Sequence, residues 1–217
     1  MQAKSDLIKR FSTVQRVAHW TFTAAFLALT VTGLFLMTGS LKELGVGGGS
    51  RLIHRIAAVI FLLAPVYYLL FDRQGMARLV KDSFTYDKDD LRWLLGFPRY
   101  VLGRAKGLPP QGRINAGEKL HHAAIILLFV TVSVSGLFLW LGKGMLGAEM
   151  FGWTLIAHDL SMIFMVLLTI GHVYFATVYG ALGGMITGYV TRAYARLEHA
   201  KWLAELESGE TGRRKSA

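Results

Sequence analysis

The chain has 217 residues, 53% of them hydrophobic and only 18% charged, with a net charge of +10 and no cysteine. Without cysteine there are no disulfides, no thiolate-held iron–sulfur clusters and no thioether-attached haem within this chain. The charged share lies below the roughly 25% usual for soluble domains and the apolar residues arrive in long blocks, which excludes an ordinary soluble fold and points to a membrane protein.

The first apolar block, Ala18–Met37, follows Lys4, Lys9, Arg10 and Arg16. Its run is longer than the ~7–15 residues of a secretory signal core and no small-x-small cleavage site follows, so it reads as a retained first helix. GVGGGS (Gly45–Ser50) comes next. It lacks the Lys-Ser/Thr ending of a phosphate loop and reads as a flexible connection. The second block is Leu52–Phe71. A long basic segment follows, in which Leu91, Trp93, Leu94, Leu95, Phe97, Tyr100, Val101 and Leu102 interleave with Arg92, Arg99 and Arg104. That composition suits either a short interfacial helix ended by Pro109-Pro110 or a plain basic loop.

The third and fourth blocks are Leu120–Leu141 and Trp153–Tyr179. The first three blocks match the ~20 residues needed to cross a ~30 Å hydrocarbon core, and the fourth is long enough to tilt or project. A spanning segment must satisfy its own backbone, so each block is read as a helix despite its Val, Ile and Thr. The expected fold is all-α, an integral membrane four-helix bundle. It forms a single domain over residues 1–217, with 180–217 as a tail. No internal repeat is clear, although VTGLFL (Val31–Leu36) and VSGLFLW (Val134–Trp140) look alike, and both place a small residue where helix backbones could approach closely.

Of the 24 Lys and Arg residues, four precede the first helix, ten lie between Asp72 and Lys119, and six follow Tyr179. The two remaining loops hold three and one. The positive-inside rule therefore places both termini and the central segment in the cytoplasm. No basic stripe interleaved with aromatics marks a nucleic-acid surface, and lipid is the expected surrounding.

Seven histidines are present: His19, His54, His121, His122, His158, His172 and His199. Six lie in or at the ends of apolar blocks, where an ionisable group is costly and a function is the default expectation. His158 and His172 are fourteen residues apart. On one helix this puts both rings near one face at two depths, separated by about 21 Å. The topology matches His54 with His158 in depth, toward the outer side, and His19 with His172 toward the inner side. Two bis-histidine sites in a dry bundle suit two haem b groups, planar and apolar with two axial positions each. Zinc suits them poorly, since a structural site wants four ligands. A proton relay is the alternative, with only Ser161 and Thr169 available between the two levels. His121 or His122 could replace His19 as a ligand, stand beside a quinone, or form a plain interfacial pair. His199 lies in a charged tail and reads as solvated.

With these pairs in place, the chain resembles the gamma subunit of membrane-bound respiratory formate dehydrogenases, a four-helix di-haem cytochrome b. The resemblance covers nearly the whole chain. RVAHW (Arg16–Trp20), RLIHR (Arg51–Arg55), DKDDLRWLL (Asp87–Leu95), INAGEK (Ile114–Lys119), IAHD and GHVY on the fourth helix, and GGMITGYV (Gly183–Val190) carry it. It implies that His54 and His158 ligate an outer haem and His19 and His172 an inner one. It also implies a menaquinone (or ubiquinone) site near the inner haem, beside His172, Asn115, Ala116 and Gly117. An iron–sulfur subunit and a catalytic formate dehydrogenase subunit are the implied partners, in a bacterial inner membrane. Formate chemistry would belong to the catalytic partner, and this chain would conduct electrons to the quinone. His121-His122, just after INAGEK, departs from the family pattern. The alternative role for INAGEK is helix-start chemistry, with Asn115 capping and Glu118 in the first turn. Rival readings are the cytochrome b subunit of another respiratory dehydrogenase such as a NiFe hydrogenase, a cofactor-free proton channel or transporter using the histidines, and a haem-free membrane anchor.

Overall fold

The computed structural model describes residues 6–38, 47–142 and 144–215. Lys4, Lys42 and Lys143 of the charge count, and Gly45 and Val46 of the glycine run, lie outside them. In chain order the elements are β1 (Leu7–Lys9), α1 (Thr13–Met37), α2 (Gly47–Phe71), α3 (Arg73–Phe84), α4 (Lys88–Leu95) and α5 (Phe97–Val101). There follow α6 (Ala116–Leu141), α7 (Ala148–Val178), α8 (Leu182–Thr187), β2 (Tyr189–Thr191), α9 (Arg192–Glu198) and α10 (Ala200–Lys215).

Among the described residues, four helices are long and apolar enough to cross a membrane: Thr13–Met37, Gly49–Phe71, Ala116–Leu141 and Ala148–Val178. All four expected spans are present, and each begins a few residues earlier than its apolar block. Gly47–Ser50 of the glycine run opens α2 and is not a flexible connection. Leu63, Leu70, Leu127 and Ile170 are all more than half exposed. Such an apolar exterior is a liability in water and the normal surface of a helix in lipid. Several hydroxyls inside the spans return their hydrogen to a carbonyl one turn back, as Ser161 does to Ala157 (2.7 Å) and Thr169 to Met165 (2.8 Å). This is how a polar side chain is satisfied in hydrocarbon.

The chain divides into two compact units. One comprises Thr13–Ala77 and Ile125–Thr169, and so holds α1, α2 and most of α6 and α7. Its core is the apolar cluster of Ala25, Phe26, Phe61 and Met165. Phe22 stacks on Phe61 with ring centroids 4.4 Å apart, and Phe129 leans on Phe61 at 5.1 Å. Offset aromatic contacts of this kind add about 0.5–1.5 kcal/mol each beyond burial.

The second unit comprises the described parts of Met1–Ser12, Arg78–Ala124 and Ile170–Ala217. β1 and β2 pair antiparallel with Ile8 opposite Val190. Of the interleaved apolar residues in the central segment, Trp93 and Tyr100 enter the core of this unit with Ala105 and Ala116. Leu91, Leu95 and Leu102 remain exposed. The plain-loop alternative for that segment is thereby replaced by two short helices, and α5 ends at Val101, well before Pro109. Asp87 caps α4 through a reciprocal box with Asp90, and Asp90 also pairs with Lys119 at 2.6 Å.

The expected tail is folded. α9 and α10 bury Val190, Ala195, Trp202 and Leu203 together. His199, expected to be solvated, is fully buried. Its Nδ1 lies 3.0 Å from the Gly112 carbonyl. Burial, with Arg10 next in weight, lowers its pKa to about 4.

Candidate functional site

In the unit built by Thr13–Ala77 and Ile125–Thr169, His54 on α2 and His158 on α7 face one another. Their ring centroids are 6.4 Å apart and their planes cross at 63°. They line a cavity of about 490 Å³ whose walls include Phe26, Leu29, Phe61, Met162 and Met165. That volume is typical of a site enclosing a compact apolar ligand. An ion held between two imidazoles, with metal–nitrogen bonds of about 2 Å, needs ring centroids roughly 6 Å apart. The separation meets that requirement.

Each imidazole is held from behind. His54 Nδ1 is 2.8 Å from Thr32 Oγ1, and the Leu29 carbonyl also faces the ring. His158 Nδ1 is 3.2 Å from Ser135 Oγ and 3.0 Å from the Val132 carbonyl. The two hydroxyls are short of a hydrogen to give: Thr32 donates to the Ala28 carbonyl at 2.7 Å and Ser135 to the Thr131 carbonyl at 2.6 Å. A carbonyl can only accept. Nδ1 must therefore carry the proton in both rings, and Nε2 of each neutral imidazole keeps its lone pair.

A glycine lies against each ring, and at Gly136 it makes room for His158. A Cβ at Gly136 would sit 3.0 Å from His158 Cε1, and one at Gly33 would sit 3.7 Å from His54 Cε1. The small residue in each VTG and VSG run was expected to let helix backbones approach; here each lies against an imidazole, and of the two Gly136 is the one tight enough to require glycine. Thr30 Oγ1 and Ser133 Oγ are buried without a hydrogen-bond partner, and both residues line the cavity. Buried hydroxyls left unsatisfied by protein imply a partner supplied by an occupant. Arg51 and Arg55 also line the cavity, Arg55 lying 5.4 Å from the Trp140 ring centroid. These cations suit the carboxylates of a planar tetrapyrrole. Among the described residues no cluster of three or more His, Asp or Glu could hold a bare metal ion. The donor set fits haem and not zinc.

The remaining expected site residues are placed as follows. His19 lies on α1 with its ring edge-on to Trp20. His172 lies on α7, the helix that also carries His158. His121 stacks face to face on His172, with centroids 4.9 Å apart and planes within 15°. Stacked faces cannot turn both Nε2 atoms to one ion from opposite sides, so these two are not a trans-ligand pair. His122 Nδ1 is buried without a hydrogen-bond partner.

Asn115 is the N-cap of α6. Its Oδ1 accepts from the Glu118 N–H at 2.8 Å, while its own N–H donates to Glu118 Oε2 at 2.8 Å. That is a complete capping box. Its amide nitrogen reaches Glu198 Oε2 at 3.4 Å. Gly117 packs under Trp93, where a Cβ would come within 2.9 Å of the ring. Ala116 is fully buried. Around the cap, Arg10 binds Glu118 at 3.1 Å and Tyr194 Oη at 2.9 Å, and Tyr100 donates to Glu198 at 3.0 Å. Burial raises the Glu198 pKa to about 7 against the pull of the Tyr100 hydrogen bond.

Sequence reasoning paired His54 with His158 but missed Thr32, Ser135 and the two carbonyls that orient them. The signal was present: LTVTGLFL (Leu29–Leu36) and VSVSGLFL (Val132–Leu139) align residue for residue in hydroxyl, glycine and apolar positions.

Comparison with known proteins places this geometry in a family. The cytochrome b556(Fdn) subunit of the nitrate-inducible formate dehydrogenase of Escherichia coli K12 is 27% identical over 211 residues, 96% of this chain and 95% of that protein. The cytochrome b556(fdo) subunit of formate dehydrogenase from the same strain is 24% identical over 210 residues, 94% of this chain and 95% of that one. The formate dehydrogenase cytochrome b556 subunit of Haemophilus influenzae is 26% identical over 205 residues, covering 91% and 83%. The profile of the prokaryotic cytochrome b561 family matches residues 10–188. With its four apolar helices and its facing histidines, the chain belongs to the prokaryotic cytochrome b561 family, bacterial multi-pass membrane proteins for which haem b is the implied cofactor.

Proposed function

We propose that this chain is the di-haem cytochrome b subunit of a respiratory formate dehydrogenase in a bacterial inner membrane. In this reading it accepts electrons from an iron–sulfur partner on the outer side, while a separate subunit carries out formate chemistry. It delivers the electrons to menaquinone, or ubiquinone, on the cytoplasmic side, where both termini lie. The observation that carries the reading is the His54–His158 pair, set 6.4 Å apart across a 490 Å³ cavity with both Nε2 lone pairs available. Near full-length similarity to three formate dehydrogenase cytochrome subunits supports the choice of partner.

Haem b supplies reversible one-electron transfer when bound. In this reading His54 and His158 hold one haem, and His19 and His172 a second. The residues behind the outer pair fix its tautomers, and the apolar walls exclude water. His121, stacked on His172, braces that ring and does not ligate beside it. Asn115 and Gly117 are proposed to border the quinone, with Asn115 also serving as the helix cap. Quinone reduction consumes cytoplasmic protons while negative charge moves inward, so the membrane potential grows without a pump.

A pyridine haemochrome assay with a reduced-minus-oxidised spectrum on the full chain tests this. Two b-type haems per chain are expected, falling to one in His54→Ala or His158→Ala and to a different one in His172→Ala. A folded chain without haem would refute the reading and favour a transporter.

A further inference from the structure

The two outer histidines are held by the same device twice. On α1 the run includes Leu29, Thr30, Thr32 and Gly33; on α6, Val132, Ser133, Ser135 and Gly136 occupy the equivalent steps. In each copy a hydroxyl donates to the carbonyl four residues back and meets Nδ1 of a histidine on the next helix. In each copy the carbonyl three residues before the hydroxyl faces the same ring. In each copy the glycine after the hydroxyl lies against Cε1 of that ring, tightly at Gly136 and at ordinary contact distance at Gly33, and a second hydroxyl two residues earlier is buried at the cavity without a partner. The spacing from hydroxyl to histidine differs by one residue, from Thr32 to His54 and from Ser135 to His158. Five features thus recur at two places in one unit.

We propose that α1–α2 and α6–α7 are duplicate ligand-holding helix pairs, in which Thr32 and Ser135 are positioning residues that set the basicity of the two axial imidazoles. The inference rests on the haem reading of the His54–His158 site. The chemistry follows from the acceptors. An N–H that donates to a hydroxyl oxygen and a carbonyl pushes electron density onto Nε2, and a more basic axial nitrogen stabilises ferric iron. Removing the hydroxyl while leaving the carbonyl keeps the tautomer but weakens the push. The haem then becomes easier to reduce. Thr32 holds the shorter bond, 2.8 Å against 3.2 Å, so its removal has the larger effect.

The test is a redox titration of full chain in membranes, followed by the haem α-band and by the ferric low-spin EPR signal of the outer haem. Thr32→Val keeps shape and deletes the acceptor; Thr32→Ser keeps the acceptor; Ser135→Ala completes the set. In Thr32→Val the reduced-to-oxidised ratio of the outer haem at a fixed potential is expected to rise up to tenfold, about 59 mV for one electron. Ser135→Ala should move it less, and Thr32→Ser should stay with the native protein. Loss of the outer haem in Thr32→Val with retention in Thr32→Ser would also support the assignment, since outer-shell partners typically carry about 10–100-fold in metal affinity. Unmoved potential and EPR in both hydroxyl deletions, or equal loss in Thr32→Val and Thr32→Ser, would overturn it. A native chain without haem would refute the function itself, before any variant is compared.

Discussion

Gly136→Ala is the sharpest single perturbation of the histidine pair. The added Cβ would stand 3.0 Å from His158 Cε1 and 3.4 Å from Nδ1. Carbon contacts are optimal at about 3.5–4.0 Å, so the ring must retreat by roughly 0.5 Å. It cannot retreat freely, because Nδ1 is held 3.0 Å from the Val132 carbonyl and 3.2 Å from Ser135 Oγ. Overpacking of a fixed side chain costs about 1–3 kcal/mol. A tenfold loss in affinity corresponds to about 1.4 kcal/mol, so under the proposed function, in which His158 holds haem, that haem should be retained roughly tenfold less well. Helix propensity works the other way by about 1 kcal/mol, so the fold itself should not suffer. Gly33→Ala is the internal control: its Cβ would meet His54 Cε1 at 3.7 Å, an ordinary contact, and haem retention should match the native chain. The assay is haem per chain after purification, by pyridine haemochrome, with the rate of haem loss to excess apomyoglobin. Equal retention in Gly136→Ala and Gly33→Ala, both folded, would refute the argument that the glycine exists to admit the ring.

Three further outcomes concern the second unit. Arg10→Met should destabilise it by about 1–3 kcal/mol, seen as a lower detergent melting temperature, because it removes the buried guanidinium that binds the partly exposed Glu118 carboxylate and the Tyr194 hydroxyl. Glu198→Gln should make stability less sensitive to pH. The raised Glu198 pKa means its protonated form suits the fold. Its contribution is complete below about 4.5 and is lost as pH rises through about 7, so the variant should be the more stable protein above pH 7, by on the order of 2 kcal/mol. Melting curves at pH 5 and pH 8 read the difference. Asn115→Ser retains a capping oxygen but removes the amide, so helix start and stability should hold within about 1 kcal/mol. Quinone reduction by the variant then reports on the amide alone: loss is expected under the proposed function, and native rates would remove Asn115 from the quinone site.

Several properties of this protein are written locally. Four spans follow from runs of apolar residues, because a segment in hydrocarbon has no backbone solution other than a helix. The pairing of His54 with His158 follows from helix direction and depth, which need only the order of the spans and the distribution of Lys and Arg. The cap at Asn115 was legible too, since Asn before Ala-Gly-Glu is a local pattern whose partner lies three residues on.

What only the tertiary structure decided depends on residues far apart in sequence. Thr32 meets His54 across 22 positions and Ser135 meets His158 across 23. Nothing in a Val-Thr-Gly run says whether its glycine faces a helix backbone or an imidazole. His199 reads as part of a charged tail, yet β1 pairing with β2 and the folding of α9 and α10 bury it completely. His121 shares the depth of His172 by sequence; that its ring stacks on the His172 ring is seen only in the tertiary structure. Depth is set by the position of a residue along its own helix, a one-dimensional quantity the chain carries. The direction in which a ring turns is set by how neighbouring helices pack, and that is known only once the helices have met.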